Sequence, residues 1–246
     1  MLSLILPVWN EARRVEAGVR GALELRRLVA GAGLGEVEII VVDDGSTDDT
    51  AARAAAALGA QGQVLRRPHG GKGAALFAGL EAAQGDRCLF NDIDWSVAPP
   101  EVLRLLRREG ELVIAVREGP SARRMGEPPG RHLVGRVFNR LVQWAVLAGH
   151  EDTQCGCKVI DRRAALALLP QLHERGWAYD VELLVAAHAH GLHIVEHPVA
   201  WRFEQETRLR PGRDGLAMAA AVWRVRQRQQ AGAYSPGGAG HGPPRP

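Results

Sequence analysis

The residues best suited to chemistry are acids that follow apolar runs. Glu38-Ile39-Ile40-Val41-Val42 leads into Asp43-Asp44-Gly45-Ser46, and Arg87-Cys88-Leu89-Phe90 leads into Asn91-Asp92-Ile93-Asp94. In an open parallel sheet, ligands bind outside the carboxyl ends of the strands. Acids at two such ends would face one crevice. Carboxylates gathered there need a cation to tolerate one another, and a hard divalent ion with oxygen ligands can carry a phosphate in with it. On a continuing strand, Asp92 and Asp94 would point to the same face and approach one ion. Mg2+ or Mn2+ held there would neutralise the charge developing on a departing diphosphate. Gly70-Gly71-Lys72-Gly73 opens a helix but lacks the Gly-Lys-Ser/Thr ending of a Walker loop. A helix N-terminus with one lysine can still hold an anion. Each motif alone also has an ordinary use as a turn or cap. Ser46 suits a helix N-cap, with Asp49 in a capping-box position. Together they suggest a nucleotide-sugar site.

The elements that must position these groups alternate through the first two-thirds of the chain. Short apolar or β-branched runs at residues 3–8, 37–42, 63–66, 87–91 and 112–116 read as strands. Between them, helical spacing covers 11–29, 51–58 and 74–83, and Pro99-Pro100 starts a further helix. This order predicts an α/β fold, a mostly parallel sheet with helices on both faces. The rest is less regular. Residues 119–130 are rich in glycine and proline and read as a loop able to act as a lid. Helical patterns follow at 131–148, 179–190 and 215–228, and strands at 159–160 and 193–199. From Ala231 the chain turns Gly/Pro-rich, so a single domain over 1–230 with a disordered tail over 231–246 is expected.

Composition sets limits. The chain has 246 residues, 46% of them hydrophobic, and a formal net charge of +3. That is enough for a sizeable core and too mild a charge to argue for nucleic acid as a partner. Arginine dominates the basic residues, and lysine occurs only at Lys72 and Lys158. Cys88, Cys155 and Cys157 have neither disulfide-framework nor zinc spacing and read as free thiols in a reducing compartment. The start lacks the basic region of a signal peptide, and no apolar run approaches the ~20 residues that cross a bilayer. A cytoplasmic protein is expected, soluble or peripheral on the cytoplasmic face of a membrane.

Taken together, Pro7-Val8-Trp9-Asn10-Glu11, Val41-Val42-Asp43-Asp44-Gly45-Ser46-Thr47-Asp48, Gly71-Lys72-Gly73 and Asp92-Ile93-Asp94 resemble the family 2 glycosyltransferases. That family has the GT-A fold, a Rossmann-like, mostly parallel sheet. Asp152-Thr153-Gln154-Cys155-Gly156-Cys157-Lys158 resembles the dolichyl-phosphate glucosyltransferase branch and its bacterial polyprenyl-phosphate relatives. Trp177-Ala178-Tyr179-Asp180-Val181-Glu182-Leu183-Leu184 and His197-Pro198-Val199-Ala200-Trp201 are similar to the same branch. The resemblance runs to about residue 228 and implies an inverting hexosyltransferase. Glucose from UDP-glucose, passed to a polyprenyl or dolichyl phosphate, is the implied reaction. GDP-mannose as donor, a soluble acceptor, and a non-catalytic nucleotide-sugar binding protein remain open.

The resemblance also implies roles. Pro7, Trp9 (where a Tyr is usual), Glu11, Val42, Asp44, Lys72, Asp92 and Ile93 would bind the nucleotide sugar. Asp92 and Asp94 would hold Mg2+ or Mn2+, with Asp94 counted as catalytic. Arg117, Arg131 and Arg136 would hold the acceptor phosphate, since arginine suits bidentate phosphate recognition. A phosphomonoester has its second pKa near ~6 and can attack already ionised. A hydroxyl acceptor would need a base, for which Asp180 and Glu182 are candidates, Asp180 fitting the resemblance better. Val134, Val137, Phe138, Leu141, Val142 and Trp144 make helix 131–148 strongly apolar, for the core or for a lipid interface. Arg224, Arg226 and Arg228 on the last helix would suit anionic head groups, and a membrane-protein partner is possible.

Overall fold

The computed structural model describes residues 1–204 and 211–236, with side chains over 1–204 and 215–236. Its main body is a seven-stranded sheet in the order β3-β2-β1-β4-β7-β5-β8. These strands are β1 Leu2–Val8, β2 Val37–Asp43, β3 Gln63–Arg66, β4 Arg87–Phe90, β5 Leu112–Val116, β7 Lys158–Asp161 and β8 Ile194–Pro198. All neighbours are parallel except β7, which runs antiparallel between β4 and β5. The expected mostly parallel α/β sheet is therefore present. Two three-residue strands, β6 Arg123–Met125 and β9 Ala200–Arg202, form a separate parallel pair. The first of them lies inside the segment expected to be all loop.

Helices cover both faces. α1 Val15–Gly31, α2 Thr50–Leu58 and α4 Pro99–Leu106 pack on one. α3 Lys72–Ala82, α6 Arg162–Leu168 and α7 Tyr179–Ala189 pack on the other. α8 Pro211–Gln230 joins that second core through Val222 and Val225, and α5 Pro129–Ala145 through Val142. β1 and β2 are buried on both faces because they are central, so they read as unbroken apolar runs. Close helix–sheet approach depends on small residues. A Cβ at Gly79 of α3 would overlap Ile5 of β1.

Three sequence expectations are corrected. α2 begins at Thr50, so Ser46 does not cap it and no capping box forms. The Ser46 hydroxyl instead accepts the Asn10 N–H at 2.8 Å, while Asn10 Oδ1 accepts the Thr47 N–H at 2.8 Å. Asn10 reaches this exchange through a left-handed backbone, a conformation asparagine tolerates better than most residues. Residues 231–236 are folded rather than disordered, and 237–246 lie outside the described residues. Tyr234 is buried, and its hydroxyl donates to Glu182 at 2.6 Å. Glu182 is fully buried in α7 and also accepts from the His173 and Glu174 N–H groups and from Arg228. It fastens the C-terminal segment to the core and is no longer a candidate base.

This predicts that Tyr234→Phe costs about 1–3 kcal/mol by leaving a buried carboxylate oxygen short of a donor. Tyr234→Ala should cost about 3–5 kcal/mol, because it empties an aromatic site as well. Urea unfolding checks both. Two variants as stable as the wild type would mean that the segment does not pack here.

Candidate active site

The strand order reverses at β1, with β2 and β3 on one side and β4 on the other. Such a switch point leaves a crevice at the carboxyl ends of the strands. Asp92 and Asp94 lie just past β4, but in a turn and not on a continuing strand. The Trp95 N–H closes the turn on Asp92 O at 3.2 Å, and Trp95 itself is left-handed. The Trp95 indole N–H donates to Gly18 O at 2.7 Å, tying the turn to α1. Gly18 and Gly21 make room for this. A Cβ at either would overlap Ile93 or Trp95.

Lys72, the first residue of α3, reaches Asp92 Oδ1 at 2.5 Å. Its ammonium also lies 5.2 Å from the Trp177 ring centroid and 5.9 Å from that of Tyr179. Burial alone would lower the Lys72 pKa, but Asp92 and Asp180 together raise it above the usual value. Burial alone would raise Asp92, and Lys72 outweighs it, so Asp92 is held below the usual carboxylate range. Asp94 goes the other way: burial and the neighbouring Asp92 charge raise it. Arg14 stands 3.9 Å from Asp94 and is itself gripped by Glu11. The arrangement suits a hard cation. Two nearby carboxylates repel one another, the Asp92 side chain is 38% exposed to the crevice, and a Cβ at Gly156 would fill the space against it. Among the described residues no group of three or more protein ligands converges. Waters and diphosphate oxygens would complete the coordination of an ion held by Asp92 and Asp94.

Behind this pair lies a second one. Lys158 is fully buried, donates to Asp180 and gives a further hydrogen bond to Cys155 O at 2.6 Å. Asp180, in the first turn of α7, is thus committed to Lys158 of β7, and its charge also helps to raise the Lys72 pKa. Cys155 and Cys157 are buried beside it as free thiols, and burial pushes Cys155 up to about 11.

On the β2 side, Asp44 is buried, not exposed as a ribose acceptor would be. Its carboxylate takes the Gly70 N–H at 3.0 Å, the Gly71 N–H at 2.8 Å and the Arg67 guanidinium, and a His69 ring nitrogen lies 2.8 Å away. It therefore shapes the glycine loop that delivers Lys72. Gly71 has φ +99°, which only glycine adopts without strain. Trp9 stacks on His69 with centroids 4.6 Å apart. The Val42 side chain is fully buried in the core and Ile93 packs against Gly18, so only their main chains remain to meet a ligand. Pro7 is half-buried at the end of β1.

The arginine set is arranged differently from the sequence expectation. Arg117 is bound by Asp152 through Nε at 2.7 Å, Nη2 at 2.9 Å and its own N–H at 3.0 Å. Burial opposes ionisation of Asp152, yet Arg117 holds it well below the usual carboxylate range. Arg117 is thus a structural tie, not an open phosphate ligand. Its guanidinium lies 5.3 Å from the Trp201 ring, Arg124 lies 5.8 Å from the same ring, and Arg131 lies 5.0 Å from Phe203. Arg136 pairs with Glu118 at 3.4 Å. The residues that sequence reasoning missed are Arg14, His69, Asp152, Trp177 and Lys158. Most sit inside motifs already noticed for their neighbours.

Asp152→Asn is expected to destabilise the protein by about 3–5 kcal/mol, because Arg117 would keep a buried charge without a counter-ion. The folded-state pKa of Asp152 is depressed, so its stabilisation is complete above the unfolded value near ~3.8 and fades as pH falls below it. Chemical denaturation at a series of pH values should show the gap between wild type and variant closing only in that acid range.

The chain matches the family model described as Glycosyl transferase family 2 over residues 3–167. It is 32% identical over 231 residues to glycosyltransferase AglD of Haloferax volcanii, covering 91% of this chain but only 36% of that protein. It is 32% identical to dolichyl-phosphate beta-glucosyltransferase ALG5C of Trichomonas vaginalis, spanning 63% of it. The human dolichyl-phosphate beta-glucosyltransferase is 30% identical over 249 residues, covering 95% of this chain and 77% of the relative. Among solved structures, glucosyl-3-phosphoglycerate synthase from Mycobacterium tuberculosis, crystallised with Mn2+, UDP and glucosyl-3-phosphoglycerate, superposes with a TM-score of 0.67 at 27% identity. That alignment covers 96% of this chain and 81% of the neighbour. Since the family model takes in more than half of the sequence, and the acids expected after β2 and β4 stand at the switch point of the sheet, the chain belongs to glycosyltransferase family 2.

Proposed function

We propose that the protein transfers glucose from UDP-glucose to a polyprenyl phosphate, with inversion at the anomeric carbon. The observation that carries this reading is the pair Asp92 and Asp94 at the mouth of the crevice, balanced by Lys72. Glucosyltransferases among its relatives and neighbours supply the sugar. A divalent ion, Mg2+ or Mn2+, held by the two aspartates would neutralise the charge that develops on the leaving diphosphate. Lys72 would then turn from Asp92 toward the diphosphate, its stem steered by Trp177 and Tyr179. Trp9 and His69 would open their stack to receive the base, and the Gly70-Gly71 amides fixed by Asp44 would border the pocket.

The acceptor follows from what is missing in the way of a base. Asp180 is ion-paired with Lys158, and Glu182 is enclosed by four donors. Neither is suited to accept a proton from a sugar or glycerate hydroxyl. A phosphate monoester arrives ionised and needs only alignment. Arg131 and Arg136 would give up Phe203 and Glu118 to hold it, with Arg117 and Asp152 keeping Trp201 in position. Such an acceptor lives in a bilayer, so the protein would work peripherally at a membrane surface, on the cytoplasmic side. No helix among the described residues is long and apolar enough to cross one. A soluble phosphorylated acceptor is the second reading, favoured by the Mycobacterium tuberculosis neighbour crystallised with phosphoglyceric acid.

Incubation with UDP-glucose, Mn2+ and a short polyprenyl phosphate should release UDP and form a glucosyl lipid. Asp92→Asn and Asp94→Asn should each lower turnover by about a hundredfold or more. Transfer to 3-phosphoglycerate with none to the prenyl phosphate would reject the lipid acceptor. Turnover with GDP-mannose alone would reject the donor.

A further inference from the structure

α5 is amphipathic in an unusual direction. An amphipathic helix on a globular protein normally turns its apolar stripe to the core. Here Val142 is the buried residue of the helix, and the stripe opposite it points outward. Leu133, Val137, Leu141 and Trp144 follow helical spacing on that side, with exposures of 65, 63, 39 and 74%. α8 continues the surface with Leu216 at 78% and Trp223 at 56%. The two helices are joined across the surface by Arg226, whose guanidinium lies 5.2 Å from the Trp144 ring and 5.7 Å from the Trp223 ring. Arg226 Nη1 is enclosed and has no hydrogen-bond partner among the described residues.

Contiguous exposed apolar surface of this kind marks an interaction site. Charge indicates what covers it. Residues 129–145 and 215–230 contain six arginines and no acid. Arg224 and Arg228, expected to meet head groups, are instead spent on Glu174 and Glu182. Arg140 remains exposed next to the stripe with no ion pair among the described residues. Aromatic and leucine side chains flanked by arginines and lacking acids are the signature of a helix lying in a membrane interface, with tryptophan at head-group depth.

We propose that the outward faces of α5 and α8 form one docking surface for an anionic lipid bilayer. Leu133, Val137, Leu141 and Leu216 enter the acyl boundary, Trp144 and Trp223 sit at the head groups, and Arg226 and Arg140 meet lipid phosphates. The inference rests on the lipid-acceptor reading above and gives it an orientation. α5 carries Arg131 and Arg136 on its first two turns, so docking would set those arginines at the depth where a prenyl phosphate head group lies.

The test is co-sedimentation of the full chain with vesicles, in the absence of donor and acceptor. Phosphatidylcholine vesicles with phosphatidylglycerol should bind the protein, and binding should weaken with added salt. Trp144→Ser with Trp223→Ser should weaken it roughly tenfold or more, and Arg226→Gln should reduce the preference for the anionic vesicles over phosphatidylcholine alone. These residues are exposed or at the surface, and circular dichroism would verify that the variants fold. Wild type left in the supernatant, or a double variant that binds equally well, overturns the proposal. So does a wild-type dimer, seen by light scattering, that the double variant loses, because the face would then be covered by a second copy. Glucosyl transfer to a short, water-soluble prenyl phosphate without vesicles separates the two readings. Soluble transfer by the wild type without vesicle binding by the wild type removes the docking surface alone. Vesicle binding without transfer to any prenyl phosphate removes the acceptor assignment and leaves the docking surface standing.

Discussion

A carboxylate taken out of bulk water must be given a positive partner or give up its charge. The crevice is organised around that requirement. Asp92, Asp180 and Asp152 are each answered by a particular cation, whereas Asp94 has Arg14 only at 3.9 Å and shares it with Glu11. The chain has only two lysines, and both are placed here, Lys72 on Asp92 and Lys158 on Asp180. Arginine serves most of the other paired carboxylates. A compact ammonium on a flexible stem suits the two places where a point charge must fit a narrow space.

The balance is not uniform, and the difference has chemical meaning. Lys158 and Asp180 are both almost fully buried and close a pair with nothing left over. Arg117 and Asp152 do the same with three hydrogen bonds. Those pairs belong to the frame. Asp92 and Asp94 share less positive charge than two carboxylates need, so one is depressed and the other raised. An under-neutralised acid pair open to a crevice is where a further cation gains most. The frame is closed and the site is left one charge short.

Strand ends were legible because apolar runs stop at acids, and a mostly parallel sheet followed from the alternation of strands with helices. What stayed hidden was set by distant partners. β7 is four residues long, and nothing in Lys158-Val159-Ile160-Asp161 signals an antiparallel direction. β6 and β9 are too short to show alternation. Ser46 looked like a cap, and lost that role because Asn10, 36 positions earlier, offers its N–H. Arg117 looked free for phosphate because Asp152 is 35 positions away in sequence. The family resemblance implied a pocket role for Val42 and Ile93, whereas the Val42 side chain lies in the core and that of Ile93 packs against Gly18. The apolar stripe of α5 was visible, but periodicity cannot say whether a stripe faces inward or outward.

The anchoring of Tyr234 on Glu182 has a consequence for how the molecule is made. Glu182 lies in the first turn of α7, which packs beside the crevice, yet one of its donors arrives 52 residues later. During synthesis the carboxylate is therefore in place long before that hydroxyl leaves the ribosome. Until then α7 can collapse onto the sheet but must keep an incompletely satisfied acid near water. The turn that carries Tyr234 acts as a latch on a nearly finished core, so nascent chains lacking it should linger as open, chaperone-dependent species.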